Sequence, residues 1–172
     1  MNRPATLLVL LLAGLLAGCG GGSRPTGIRA AETPADDVAE YQPRWRSHTV
    51  DSTQYRKVFL AGTIDMGRSS DWQAALVARF RDSIGGRWLF LNPRRREFHA
   101  SPAEMEYQVA WELAHLEAAD LIVMNLLGDS RSPISLLEMG LYARSGKLFV
   151  ACSPDYYRYD NVRITCRRYG VP

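Results

Sequence analysis

From Lys57 onward the chain alternates short, uniformly apolar runs with longer stretches whose apolar residues recur every three or four positions. The short runs KVFLAG (57–62), RWLFLNP (87–93), DLIVMNLL (120–127) and KLFVAC (147–152) predict strands buried on both faces. The longer stretches predict helices. SSDWQAALVARFRDSIG sets Trp72, Leu76 and Phe80 on one stripe, and SPAEMEYQVAWELAHLEAA opens with Ser101, Pro102 and Glu104 in a capping-box arrangement. SRSPISLLEMGLYARSGK offers Ser132 as a side-chain cap, Pro133 at the first helical position and Gly146 as the stop. Apolar strands separated by helices imply a parallel sheet covered on both faces, so the predicted fold is α/β, a three-layer sandwich. In such sheets ligands bind beyond the carboxyl ends of the strands, where Gly62, Asn92, Asn125 and the residues after Cys152 would meet.

Two of the predicted helices carry a glutamate among apolar neighbours. At about 100° per residue, Ile134, Leu137 and Leu141 form one stripe, and Glu138 projects only about 40° from Ile134. Leu136, Met139, Gly140 and Ala143 make the other side apolar or small as well. In the preceding helix Met105, Val109, Leu113 and Leu116 define the expected buried stripe, and Glu112 falls on it. A carboxylate taken out of water needs partners or must bind a proton. A single such residue is more often a rim group that reaches solvent. Two on successive helices raise the odds of a shared site. Paired carboxylates of unequal pKa are what cleavage of a glycosidic bond requires, one for the sugar cation and one for the leaving group's proton.

The opening MNRPATLLVLLLAGLLAGCGGGS reads as an export signal, because its apolar run from Leu7 to Leu16 is too short for an ordinary membrane span. Its end, Leu16-Ala17-Gly18-Cys19, resembles the bacterial lipobox, which implies cleavage after residue 18 and a lipid on Cys19. Gly20, where inner-membrane retention would favour Asp, points to the outer membrane, with the domain facing the periplasm. Residues 19–54, rich in Gly, Pro, Ala, Asp and Thr, are expected to be a flexible tether. Residues 55–172 are left as one domain.

Charge narrows the partners. Removing residues 1–18 takes away only Arg3, leaving 20 basic against 18 acidic side chains. That balance argues against nucleic-acid polymers and membrane-surface binding as the main task, so the membrane partner is expected through the lipid alone. Cys152 and Cys166 remain as a disulfide or as two buried thiols. His48, His99 and His115 are scattered and no Cys/His cluster has metal spacing, so no metal and no cofactor are expected.

The segments VFLAGTIDMG, DWQ, NPRRREF, QVAWELAHLEAADLIV, SPISLLEMGLYA and YRYDNVRITCRRYGVP, in this order, resemble the nucleoside 2-deoxyribosyltransferase-like family over nearly all of residues 57–172. The resemblance implies a mainly parallel, flavodoxin-like central sheet of about four to five strands. It implies that Glu138 is the nucleophile that attacks the anomeric carbon of a nucleoside. Glu112, eight residues before the Asp120 that opens the third strand, would contact the base and pass it a proton. Asn161 would bind the sugar 5′ end across a subunit boundary, and Gly62 to Asp65 would line the sugar pocket. Ser132 stands where the deoxyribosyltransferases carry an Asp. Relatives that hydrolyse nucleoside 5′-monophosphates have a Ser-containing turn there, so Ser132 and Ser135 would form a phosphate site at a helix N-terminus. Arg94, Arg95 and Arg96 are candidates for added charge.

The expected activity is a lipid-anchored N-glycosidase or glycosyltransferase of nucleosides, deoxynucleosides or their 5′-monophosphates. The alternative is a non-catalytic envelope lipoprotein that binds a nucleotide-like ligand or a protein. A homo-oligomer is expected, because the helix around Glu138 has no polar face.

Overall fold

The computed structural model describes residues 37–97 and 101–172, so the signal segment and Cys19 lie outside the described residues. Its strands are β1 (Val38–Gln42), β2 (Trp45–Arg46), β3 (Arg56–Gly62), β4 (Trp88–Leu91), β5 (Leu121–Leu126) and β6 (Leu148–Cys152). The helices are α1 (Trp72–Ser83), α2 (Pro102–Ala118), α3 (Pro133–Tyr142) and α4 (Tyr159–Tyr169). The strands form a single sheet in the order β2-β1-β4-β3-β5-β6, parallel throughout except for β2.

Helix α1 covers one face, with Trp72, Leu76, Val77 and Phe80 packed against Val58, Leu60, Phe90 and Val123. The other face meets α2, α3 and α4 through Leu116, Met139 and Val162 against Phe59, Ala61, Leu91, Ile122 and Met124. The result is a three-layer α/β sandwich in which every central strand is buried on both sides, as its uninterrupted apolar run requires. From β3 the chain crosses over α1 to β4 on one side, then over α2 to β5 on the other. The carboxyl ends of β3 and β5 therefore flank the topological switch point, the place where sheets of this kind bind ligands.

Several expectations are corrected. The sheet has six strands rather than four to five. The additional pair comes from the segment expected to be tether: β1 lies parallel beside β4, with Val38 opposite Trp88. From Val38 on, the chain belongs to the domain. The apolar pattern of β1 is broken by Glu40, which is nonetheless buried because Asn92 Nδ2 donates to its carboxylate at 2.8 Å and Gln42 Nε2 at 3.2 Å.

The stripes on α2 and α3 are turned the other way. Met105, Val109 and Leu113 on α2, and Ile134, Leu137 and Leu141 on α3, are exposed. The inward faces carry Gln108 and Leu116 on α2, and Ser135, Glu138 and Met139 on α3. Both helices are apolar enough on either face that periodicity alone does not fix which one meets the sheet.

Ser132 precedes α3 in a left-handed conformation, φ 40° and ψ 54°, and makes no side-chain cap bond. Its hydroxyl is engaged elsewhere. Ser101, in contrast, caps α2 as expected, accepting from Glu104 N at 3.1 Å. Glu104 completes no capping box and instead pairs with Arg44 at 2.8 Å. Cys152 and Cys166 are free thiols that line one cavity of about 360 Å³ between β6 and α4.

Candidate active site

The site is built from the turn that leaves β3. Gly62 has φ +120°, and a Cβ there would lie 2.2 Å from Asn125 O, so the backbones of β3 and β5 approach as only glycine allows. Asp65, Met66 and Gly67 then take positive φ in succession, 49°, 53° and 81°. Such strain persists only where the surroundings enforce it.

Here the enforcing group is Arg94. Its guanidinium is buried and donates to Ser69 O, Ser69 Oγ, Ser70 O and Gln73 Oε1, and it lies 3.4 Å from Asp71. Ser69 Oγ in turn donates to Ile64 O, which closes the loop. Of the three candidate arginines, Arg94 is thus a loop clamp, and Arg96 stacks over Trp45 at 3.8 Å. Arg95 acts on Glu112, lowering its proton affinity.

A chain of hydroxyls joins that loop to the start of α3, and its hydrogens can be assigned by elimination. Asp65 only accepts, so Ser130 Oγ gives it its hydrogen at 3.0 Å. Ser132 must then donate to Ser130 at 2.7 Å, and Thr63 to Ser132 at 2.8 Å. Thr63 Oγ1 accepts from Leu127 N at 3.0 Å. Ser132 consequently has no hydrogen left for an anion. Its geometry suits a residue that orients Asp65 and the first turn of α3. Ser135, buried on the inward face of α3 together with Glu138, is the hydroxyl that remains at that helix end.

Glu112 on α2 and Glu138 on α3 form a carboxylate pair within electrostatic reach of each other. Glu138 is 8% exposed, and burial pushes its pKa up to about 8, with the charge of Glu112 as a second cause. Glu112 is partly buried and is also raised by burial, opposed by a hydrogen bond from Gln108 and by Arg95. Burial of Glu138, the deeper of the two, and the hydrogen bond donated to Glu112 both favour Glu138 as the protonated member of the pair. Among the described residues no group of three His, Cys, Asp or Glu is placed to hold a metal ion.

Not every candidate converges. Asp65 and Ser132 are joined through Ser130; Ser135 and Glu138 share the inward face of α3, and Glu112 lies within electrostatic reach of Glu138. Asn161 stands apart. It lies on α4, facing Leu136 and Gly140 across a cavity of about 320 Å³. Those two residues are about 160° around α3 from Glu138. Ser130 and Gln108 were not singled out from the sequence. Of these only Gln108 carried a readable signal, one helical turn before Glu112.

Residues 55–156 match the family described as nucleoside 2-deoxyribosyltransferase like. The chain belongs to the nucleoside 2-deoxyribosyltransferase-like family. The matched span runs from the strand before Gly62 to the turn after β6, and contains the loop clamp, the hydroxyl chain and both glutamates. β1, β2 and α4 fall outside it, so Asn161 is not covered by the match. No curated protein matches the chain. Membership in this family suggests glycosyl transfer on nucleosides and implies a nucleoside as small-molecule substrate.

Proposed function

We propose that the protein is a lipid-anchored N-glycosidase or glycosyltransferase acting on nucleosides, deoxynucleosides or their 5′-monophosphates, with Glu138 as nucleophile. The observation that carries the reading is a buried glutamate within electrostatic reach of a second one. In the reaction the ionised Glu138 attacks C1′ while the C1′–N bond breaks. The electron pair of that bond goes to the base, which takes up a proton by way of Glu112. Water or an acceptor base then displaces Glu138 from the glycosyl ester. Asp65, held by Ser130, would face the sugar beside Gly62, and Ser135 with the N-terminus of α3 would favour a 5′-phosphate.

Two further parts of the proposal concern assembly and place. Exposed Met105, Val109 and Leu113 on α2, and Ile134, Leu137 and Leu141 on α3, flank the two carboxylates, and a second copy laid on them would shield the site from water. Such a copy would also give Asn161 a route to a neighbour's sugar that its own protomer denies it. The Leu16 to Cys19 segment supports lipidation at Cys19 and residence at the outer membrane, facing the periplasm.

The test is a panel of nucleosides and 5′-monophosphates assayed for released base, with Glu138→Gln as the control. A substrate cleaved by the parent and slowed by several powers of ten in Glu138→Gln supports the reading. Equal rates in both proteins would remove Glu138 from the mechanism. Binding without turnover across the whole panel would favour the non-catalytic envelope module.

A further inference from the structure

The amide of Gln108 is buried on the inward face of α2 and spends both of its hydrogens locally. Nε2 donates to Pro93 O at 3.0 Å and to Glu112 Oε1 at 2.6 Å. Its Oε1, by contrast, is buried with no hydrogen-bond partner. A buried acceptor left unpaired is unfavourable, yet the opposite orientation of the amide is worse, because it would press an oxygen against both a carbonyl and a carboxylate. The Pro93 carbonyl, fixed at the end of β4, thus dictates that Gln108 presents N–H, and only N–H, to Glu112.

We propose that Gln108 is a positioning residue of the carboxylate pair: anchored on Pro93, it holds Glu112 in one orientation as a hydrogen-bond acceptor, so that the pair's single proton rests on Glu138 until substrate arrives. This assignment rests on the glycosidase reading for its use, though not for its detection. Besides Gln108, the groups facing Glu112 are Glu138 from α3 and Arg95 from the segment after β4. His115, one turn further along α2, feels Arg46 from β2. Gln108 donates a hydrogen bond to the carboxylate.

The arrangement has a chemical consequence. Glu138 cannot attack while it is protonated, and a carboxylate already oriented as an acceptor is the group that can take that proton. Glu112 would then deliver it to the base nitrogen as the C1′–N bond breaks, and the proton count is unchanged across the step. A pair with the opposite resting state would leave a charged nucleophile facing any electrophile before substrate binds.

The experiment is carboxyl-carbon NMR titration of the full chain carrying ¹³C-labelled glutamate, with signals assigned from Glu112→Gln and Glu138→Gln. In the parent, Glu112 should ionise at lower pH than Glu138. In Gln108→Met, which keeps the volume but has no N–H, the Glu112 midpoint should rise by about one pH unit and that of Glu138 should fall. Gln108→Leu is the second variant should Met pack poorly, with near-ultraviolet circular dichroism as the check on folding. With a cleaved substrate, the acid limb of the kcat profile should move in the same direction while KM stays nearly constant. Unchanged midpoints in a folded variant, or a parent in which Glu138 ionises first, would overturn the assignment. Absence of turnover in the parent would overturn the glycosidase reading alone, since the midpoints are read without substrate.

Discussion

Burial of Glu138 should write itself into the pH dependence of folding. Its carboxyl titrates near 4.5 in an unfolded chain and at about 8 in the folded one. Between these values the folded protein holds a proton that the unfolded chain has released. Raising the pH through that window therefore lowers stability, the reverse of the usual carboxylate effect. Below the window both states are protonated and the term vanishes; above it the full penalty applies. Since Glu138 is only 8% exposed, solvent screens little of the effect. From pH 6 to pH 8 the parent should lose about 2–3 kcal/mol relative to Glu138→Gln, which keeps the shape and carries no titratable group. Chemical denaturation of parent and variant at several pH values and one protein concentration measures this difference, because other titrating groups largely cancel. In a thermal scan at pH 8 the variant should melt roughly 5–10 °C above the parent. Curves for parent and variant that run parallel from pH 6 to pH 8 would show that Glu138 reaches water or a cation, and would refute the buried, protonated nucleophile.

Other perturbations test the rest of the architecture. Leu137→Glu combined with Leu141→Glu places charge on the exposed face of α3, and should convert an oligomeric parent into monomers in light scattering at micromolar concentration; a monomeric parent would refute the shared-site assembly. Arg94→Met removes the clamp on residues 69–71 and should cost about 2–3 kcal/mol in denaturant unfolding, with activity falling more than stability because the Asp65 turn loosens. Gly62→Ala drives a Cβ to within 2.2 Å of the Asn125 carbonyl at a φ that disfavours side chains, and should cost at least about 3 kcal/mol or prevent recovery of folded domain. Cys19→Ala should release a precursor that no longer partitions with membranes, as fractionation and gel mobility would show; unchanged partitioning would remove the lipid anchor.

Much of this protein could be read along the chain because burial of the central strands is total. Strands such as LIVMNL and VFLAG have no polar alternation, so they demand helices on both faces and hence a parallel, layered sheet. The cap at Ser101 and the stripe Trp72, Leu76, Phe80 were legible for a similar reason, since each depends only on neighbours three or four residues away. Both glutamates stood out because a charge among apolar residues needs an explanation.

What the sequence left open was decided by contacts between distant segments. β1 was hidden because Glu40 interrupts its apolar run, and partners such as Asn92, in another strand's loop, make that carboxylate tolerable inside. The facing of α2 and α3 was undetermined because both sides of each helix are apolar; docking onto the sheet turned Gln108 and Glu138 inward and left Leu113 and Leu137 outside. Ser132 looked like a cap, but Thr63, from the turn after β3, and Ser130, in its own loop, draw its hydroxyl away. The proton on Glu138 is likewise a tertiary property. Its position in the chain made it suspect, and only the enclosing walls, with Glu112 beside it, raise its pKa to about 8.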